Sequence, residues 1–209
     1  MTMSFVEHFK EKYYKKLLQP AHPNNPIRDR ATSFLKVFEE LEKKEDKNYI
    51  VVETGCMRPD HGEFAFGDDG CSTYIFDDFI NYYDGLLNSV DIEPINAGYA
   101  NSVTSDKTTV HCMDSVKFLW SIGSDIKIDF LYLDSFDIIK ENPHPSQMHH
   151  LKELCAVTKN LKRGSVVVVD DHDAFFTEGE IGKGTYVAEF MKNIGAKVLF
   201  EEYQIGWVL

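Results

Sequence analysis

The chain has 209 residues, of which 43% are apolar and 13% aromatic, so it suits one folded domain and is not the composition of a disordered chain. Its formal net charge of −12 at pH 7 argues against nucleic acid as a partner, because an acidic surface repels phosphate backbones. No apolar stretch approaches the roughly 20 residues that a bilayer-spanning helix needs, so we expect no membrane partner.

The cysteines indicate a reducing compartment. Cys56, Cys71, Cys112 and Cys155 form no CxxC pair, and the N-terminal MTMSFVEHF lacks the basic and then apolar order of a secretion signal. We therefore expect reduced thiols and a cytoplasmic protein. Cys56 and Cys71 flank one polar loop, and a disulfide between them or a soft-metal site with His61 is the less favoured alternative.

Two helices are predicted before the first strand. Ser4 and Glu7 have capping-box spacing, and the apolar residues that follow recur at helical intervals, which predicts a first helix over 5–18. Asn25 as N-cap and Pro26 as first helical residue predict the start of a second amphipathic helix.

These helices divide the predicted domain into two layers. We interpret residues 1–47 as a helical lid or dimer layer, and residues 48–209 as a ligand-binding core within the same single domain. The aromatic stripe of the first helix suits packing against a partner chain, so we expect a homodimer as the assembly that this layer supports.

From Tyr49 onward, β-branched runs alternate with amphipathic helices, which is the pattern of βαβ units in a parallel sheet with helices on both faces. The closing KVLFEEYQIGWVL reads as an antiparallel hairpin. We thus predict an α/β fold. The predicted strands are 49–53, 87–92, 108–112, 127–134 and 165–170, and the predicted helices are 73–84, 95–102, 114–121, 145–160 and 184–194.

Acidic and small residues follow these strands, at the edge where open α/β sheets bind ligands. The strands end in VVETG, VDIEP, HCMDS, LYLDS and VVVVDD. Asp91, after the second strand, suits a ribose because a carboxylate accepts two hydrogen bonds from neighbouring hydroxyls. Neither GxGxxG nor GxxxxGK[ST] is present, so we expect a nucleoside ligand without a pyrophosphate.

The motifs VVETG, GCST, VDIEP, HCMDS, IDFLYLDS and VVVVDD, in this order over about residues 49–209, resemble those of the class I S-adenosylmethionine-dependent methyltransferases. Within that superfamily the chain looks most like small-molecule O-methyltransferases of the catechol and macrolide-sugar type. The resemblance implies a Rossmann-like, seven-stranded, mostly parallel sheet. It also implies S-adenosylmethionine as cofactor and methyl transfer to a hydroxyl of a small polar acceptor, such as a sugar.

The resemblance assigns residues to each part of the cofactor. Glu53 and Gly55 would face its methionine portion, and the start of the next helix would bind its carboxylate. Asp91 would hold the ribose, although it can instead cap the following helix. The cofactor set implied in this way is Glu53, Gly55, Gly70, Ser72, Thr73, Asp91, Asp114, Ser115 and Asp134, with Asp114 and Ser115 at the adenine and Asp134 beside the sulfonium. Asp114 also has a capping alternative.

Asp134, Asp170 and Asp171 match the acidic trio that chelates a divalent ion in the metal-dependent members. Three carboxylates on neighbouring strand ends repel one another, and protonation, a cation or hydrogen-bond donors must relieve the repulsion. Oxygen ligands favour Mg²⁺, Mn²⁺ or Ca²⁺, and such an ion would position an acceptor hydroxyl and lower its pKa. The alternatives are a metal-independent methyltransferase and a non-catalytic nucleoside-binding domain.

The sequence departs from the resemblance in two places. Asp137 stands where the catechol-type enzymes have a lysine, so Asp137 or His172 is the candidate catalytic base, together with Asp134 as a catalytic residue. An exposed turn is the alternative for His172. The insertion between Gly55 and Gly70 either covers the cofactor or is a solvated excursion.

Overall fold

A seven-stranded sheet organises the part of the chain that the computed structural model describes, which is residues 3–19, 28–59, 65–175, 178 and 181–209. The strands run in the order β3-β2-β1-β4-β5-β7-β6 across the sheet. Their bounds are β1 Asn48–Thr54, β2 Asp84–Asp91, β3 Thr108–Cys112, β4 Ile128–Leu133, β5 Leu161–Val169, β6 Lys197–Glu201 and β7 Ile205–Val208.

The strands β1 to β5 pair in parallel, and β7 is inserted antiparallel between β5 and β6. The predicted fold class and the terminal hairpin are confirmed. The prediction placed the start of β2 three residues too late. Asp84–Leu86 alternate between exposed and buried and pair with the start of β1, so this end of the strand lacks the apolar run that a sequence reading looks for.

Helices cover the sheet and lie close to their predicted positions. Their bounds are α1 Phe5–Phe9, α2 Lys15–Leu17, α3 Arg30–Leu41, α4 Ser72–Tyr82, α5 Pro94–Val103, α6 Ser115–Ser121, α7 His144–Val157 and α8 Thr185–Asn193. A π-helical segment, Lys10–Tyr14, joins α1 to α2. The predicted N-cap Asn25 and Pro26 lie outside the described residues, and α3 begins instead at Arg30, where Asp29 accepts a hydrogen bond from the Thr32 N–H.

The N-terminal helices pack onto the sheet through aromatic rings. Phe5 contacts Phe38 of α3 at 4.8 Å between centroids and Phe79 of α4 at 5.0 Å. Phe34 reaches Tyr132 of β4 at 5.7 Å. These helices therefore form part of the core on one face of the sheet. Their role as a lid or dimer layer stays a prediction.

A second apolar cluster fills the other face of the sheet, between the strands and α6, α7 and α8. Every residue of β4 is buried, as expected for a central parallel strand covered on both faces. Both clusters leave the carboxyl edge of the strands to polar residues. Among the described helices, none is both long and apolar enough to cross a bilayer.

Candidate functional site

Two adjoining cavities lie at the carboxyl edge of β1, β2 and β4. The larger has a volume of about 430 Å³ and a mostly polar lining, and the smaller about 260 Å³. Gly55, Asp91, Ile92 and Ser135 line both, so the two form one crevice with Asp91 at its middle. The predicted juxtaposition of Asp91 with Asp134 in one crevice is therefore present.

Gly55 is required at the floor of this crevice. Its φ of +77° is in the left-handed region, and a Cβ there would lie 2.4 Å from the backbone oxygen of Asp134. Any side chain would therefore be both strained and in collision with β4. The glycine therefore lets the backbone at the ends of β1 and β4 come close together at this point.

Glu53 is fully buried beneath the crevice, where it ties β1 to the start of α4. Its carboxylate accepts hydrogen bonds from Ser72 Oγ at 2.6 Å and Ser89 Oγ at 2.5 Å. Thr73 Oγ1 accepts from the Met57 N–H at 2.9 Å. The hydroxyls of Ser72 and Thr73, which were predicted to bind a cofactor carboxylate, thus form hydrogen bonds within the protein. Of these two residues, only Ser72 is among the described residues that line the larger cavity.

Burial raises the pKa of Glu53 to about 7, against the opposing hydrogen bonds from Ser72 and Ser89. The folded state therefore retains a proton that the unfolded chain releases between pH 4.5, its ordinary pKa, and about 7. The free energy of unfolding should fall as pH rises through this window, by up to about 3 kcal/mol.

We expect Glu53→Gln to remove this pH dependence and to be more stable than the parent above pH 7. Denaturant unfolding between pH 4.5 and 8 measures it, with the exposed Glu45→Gln as the matched control. Parallel stability profiles for the Glu53→Gln variant and the parent would contradict the shift.

Asp91 and Asp114 contribute carboxylates to the lining of the cavities. Asp91 accepts from the Glu93 N–H at 2.8 Å and the Cys56 N–H at 3.2 Å, which fixes its carboxylate at the junction of the cavities. Asp114 is the N-cap of α6 and accepts from the Lys117 N–H at 2.9 Å, so its capping alternative is confirmed. It also borders the smaller cavity.

Ser115 faces His149 across that cavity, with 3.0 Å between its Oγ and the His149 Nε2. Ser115 was predicted as a site residue, whereas His149, which lines the same cavity from α7, was not. Gly70 is not among the described residues that line either cavity. A Cβ at Gly70 would be 2.7 Å from Arg30 Cδ, so its left-handed conformation, φ +80°, serves close packing against an arginine.

Asp134, Asp170 and Asp171 come together at the ends of β4 and β5. One carboxylate oxygen from each lies within 4.8 Å of the others, the arrangement that the sequence analysis predicted. Two buried cations that it did not predict join them. Arg30 donates from Nη2 and Nε to Asp170 at 2.6 and 3.1 Å, and Lys183 Nζ lies 2.5 Å from Asp134 Oδ1 and 3.0 Å from Asp171 Oδ2.

The two cations have different effects on the pKa values of Asp134 and Asp171. Burial and the neighbouring carboxylates raise the pKa of Asp134, against the pull of Lys183. At Asp171, Lys183 and Arg30 together outweigh burial and lower the pKa. Burial disfavours the ammonium of Lys183, but the aspartates prevail and raise its pKa, so it stays protonated.

The donor set as placed does not fit a divalent ion. Asp170 is fully buried, and both its oxygens accept from Arg30, with a further bond from Gln204 Nε2 at 2.6 Å. Asp171 accepts from Tyr203 as well as Lys183. An ion on these oxygens would lie against two fixed positive charges, which repel it. The divalent ion therefore stays a prediction without support from this geometry.

The structure separates the two candidate bases. Asp137 lines the larger cavity, with a 79% exposed side chain 3.5 Å from Arg58 Nη1. His172 is buried and is not among the described residues that line the crevice, which corrects its assignment as a catalytic base and also its alternative as an exposed turn residue. The left-handed Asp171, φ 49°, turns the chain so that the buried His172 ring faces Glu201, with Nε2 3.6 Å from Oε1.

The remaining sequence alternatives concern the loop after Gly55. Cys56, Met57 and Arg58 at its start and Asp68 and Asp69 at its end line the larger cavity. All four cysteines are free, in agreement with the predicted reduced thiols and against the disulfide. His61 lies outside the described residues.

Comparison with solved structures identifies the fold of the chain. No protein-family model matches the chain, and no curated protein does. Among solved structures, the O-methyltransferase NovP superposes with a TM-score of 0.63 and 10% identity, over 98% of this chain and 97% of that one. CalS11, a TDP-rhamnose 3′-O-methyltransferase, has a TM-score of 0.55 and 13% identity, over 100% and 96%.

The fold is that of these methyltransferases. MycE, a methyltransferase of mycinamycin biosynthesis whose structure contains Mg and SAH, superposes with a TM-score of 0.61 and 14% identity. The match covers 97% of this chain and 54% of MycE, so the chain spans about half the length of that relative. The methyltransferase fold explains why the crevice lies at the carboxyl edge near β1 and β4, where the strand order reverses.

Proposed function

We propose that the protein transfers the methyl group of S-adenosylmethionine to a hydroxyl of a small polar acceptor, such as a sugar. The observation that carries the proposal is one polar crevice in which Asp91, Asp134 and Asp137 converge over the bare backbone of Gly55. The fold shared with NovP, CalS11 and MycE supports it.

The crevice residues fit a sulfonium nucleoside. Gly55 lines both cavities without a side chain, and the smaller cavity beyond Asp91 is bordered by Val90, Ile92 and Phe136, which suit a flat base. Asp91 would accept from ribose hydroxyls, and Asp134 would lie near the positive sulfonium. When bound, the cofactor supplies an electrophilic methyl group.

Asp137 is the group that would take the acceptor's proton. Its exposed side chain lines the larger cavity, and its carboxylate lies 3.5 Å from Arg58 Nη1. Removal of the proton makes the acceptor oxygen a better nucleophile toward carbon. No step of this reaction is assigned to a divalent ion. The free cysteines support the cytoplasmic location that forms part of the proposal, whereas the homodimer is a proposal on sequence grounds alone.

Asp91→Asn tests the cofactor assignment. The amide keeps the side-chain shape but loses the charge and one accepting oxygen, so we expect affinity for S-adenosylhomocysteine to fall about 10- to 100-fold. Isothermal titration calorimetry measures the loss. Asp84→Asn, at the other end of β2 with a 93% exposed side chain, is the matched control.

Equal affinity in Asp91→Asn and Asp84→Asn would overturn the ribose assignment. Absence of any binding of S-adenosylmethionine or S-adenosylhomocysteine to the parent protein would overturn the function itself. A parallel titration with NAD distinguishes a nicotinamide-binding protein, since selective binding stabilises only the matching complex. Cofactor binding without methylation of any acceptor in a broad panel would favour the non-catalytic nucleoside-binding domain.

A further inference from the structure

Two buried cations, Lys183 and Arg30, lie inside the aspartate cluster, and the proposed reaction uses neither directly. Long basic side chains are seldom fully buried unless they are paired. Here the Lys183 side chain is 1% exposed and the Arg30 side chain 5%. Their placement therefore needs an explanation in terms of the cluster that they neutralise.

The backbone around Lys183 is built to bring its ammonium to this point. The Lys183 N–H donates to the Asp171 carbonyl at 3.1 Å. On either side, a Cβ at Gly182 would lie 1.6 Å from the His172 oxygen, and one at Gly184 would lie 2.7 Å from Ile205 Cγ2. Only glycines permit this close approach to the turn after β5 and to β7, and the approach directs Lys183 between Asp134 and Asp171.

Arg30 closes the cluster from the opposite side. Its guanidinium forms a two-nitrogen contact with Asp170, and Nη1 donates to the Asp68 carbonyl at 2.9 Å. Gln204 also donates to Asp170, and Tyr203 donates to Asp171. Asp170 and Asp171 are thus satisfied by protein donors, and the geometry is of the strong, charge-assisted kind.

We infer that Lys183, with Arg30, is a permanent substitute for a divalent cation, so that the chain organises Asp134 and Asp171 without a metal ion. The ammonium bridges two carboxylates in the way that a bound ion would. Two cations against three aspartates leave at most one negative charge, which is far less repulsion than three unpaired carboxylates produce.

Lys183 is a positioning residue in this scheme. Lys183 is not among the described residues that line either cavity. It acts by holding Asp134, which lines the larger cavity. Its consequence for methyl transfer rests on the proposed function: Asp134 is fixed near the sulfonium by a side chain, and turnover needs no added metal. Its consequence for ion binding is independent of that function.

The test measures ion binding directly. The EDTA-treated full chain, Lys183→Met and Lys192→Met are each titrated with Mn²⁺ and followed by electron paramagnetic resonance, and their melting temperatures are recorded with and without Mg²⁺ or Mn²⁺. Methionine preserves much of the side-chain length but removes the charge. Lys192, an exposed residue of α8, provides the matched control.

We expect the parent and Lys192→Met to bind no Mn²⁺ at millimolar concentrations and to melt at unchanged temperature. Lys183→Met should gain Mn²⁺ binding and melt at a temperature that rises with Mn²⁺ concentration, because the unpaired carboxylates then attract an ion. A merely structural lysine would give a less stable variant without this gain.

Stoichiometric Mn²⁺ binding by the parent would overturn the inference. A Lys183→Met variant that folds but gains no Mn²⁺ binding would overturn it as well. If Lys183→Met does not fold, Lys183→Gln is used, and if neither folds, the parent titration decides alone. Calorimetry of the EDTA-treated parent with S-adenosylhomocysteine separates the two failures. Loss of cofactor binding there counts against the proposed function, whereas cofactor binding together with Mn²⁺ binding counts only against the cation substitute.

Discussion

Replacing Arg30 by methionine is expected to lower the free energy of unfolding by about 3–5 kcal/mol, because it leaves a buried carboxylate without its counter-charge. Asp170 is fully buried and receives three contacts from the Arg30 guanidinium, the shortest at 2.6 Å. Gln204 remains as a donor after the substitution, but a neutral amide cannot compensate the charge. Guanidinium chloride unfolding near pH 7.5 measures the difference.

Arg28→Met is the matched control, since Arg28 pairs with Asp68 at 3.6 Å while its side chain is 41% exposed. Exposed pairs contribute little, so this variant should lose less than about 1 kcal/mol. The double variant Arg30→Met/Asp170→Leu should recover part of the loss, because no buried charge is then left alone. Equal destabilisation by Arg28→Met and Arg30→Met would show that Asp170 does not depend on its partner.

Replacing Asp137 by asparagine is expected to lower kcat by about 10²- to 10⁴-fold, the usual contribution of a general base. Asparagine matches the shape of aspartate but does not accept the acceptor's proton. The affinity for S-adenosylhomocysteine should stay within about threefold, because the Asp137 side chain is exposed and the contact that it loses with Arg58 is a weak surface ion pair. Transfer of a radiolabelled methyl group to a panel of free sugars, nucleotide sugars and glycosylated macrolides provides the assay.

Glu141→Gln, an exposed residue of the same loop, is the control for Asp137→Asn. Undiminished turnover in Asp137→Asn would remove Asp137 as the base. A loss of cofactor affinity equal to the loss of turnover would instead assign it to cofactor binding.

The fold could be predicted because its signals are local. The apolar runs that become β4 and β5 are buried on both faces, and the terminal hairpin follows from two short strand-like segments. Boundaries were less accurate where local signals competed. Asn25-Pro26 has the pattern of a helix start, whereas the described α3 begins after Asp29.

The site could be predicted only in part. Asp91, Asp134, Asp170 and Asp171 follow parallel strands, and such ends share one edge of a sheet, so their convergence was foreseeable. The positions of the two cations could not be predicted, because Arg30 is 140 residues from Asp170 and Lys183 is 49 residues from Asp134 along the chain.

Weak signals for the cations exist in the sequence. Arg30 precedes Phe34 by one helical turn on the stripe that becomes buried. Lys183 lies between two glycines. His172 was misassigned because the left-handed turn at Asp171 redirects the next side chain, and this conformation is uncommon for any residue other than glycine.

The bond between Arg30 and Asp170 also fixes the rotational setting of the N-terminal layer. A helix turns by about 100° per residue, so a one-residue slip of α3 would carry the guanidinium away from Asp170. Aromatic packing by Phe34 and Phe38 tolerates exchange among large rings, whereas a forked ion pair accepts a single alignment. A helix far from the aspartates in sequence thereby acts as a geometric reference for them, and methyl transfer would inherit its precision from the chain's first fifty residues.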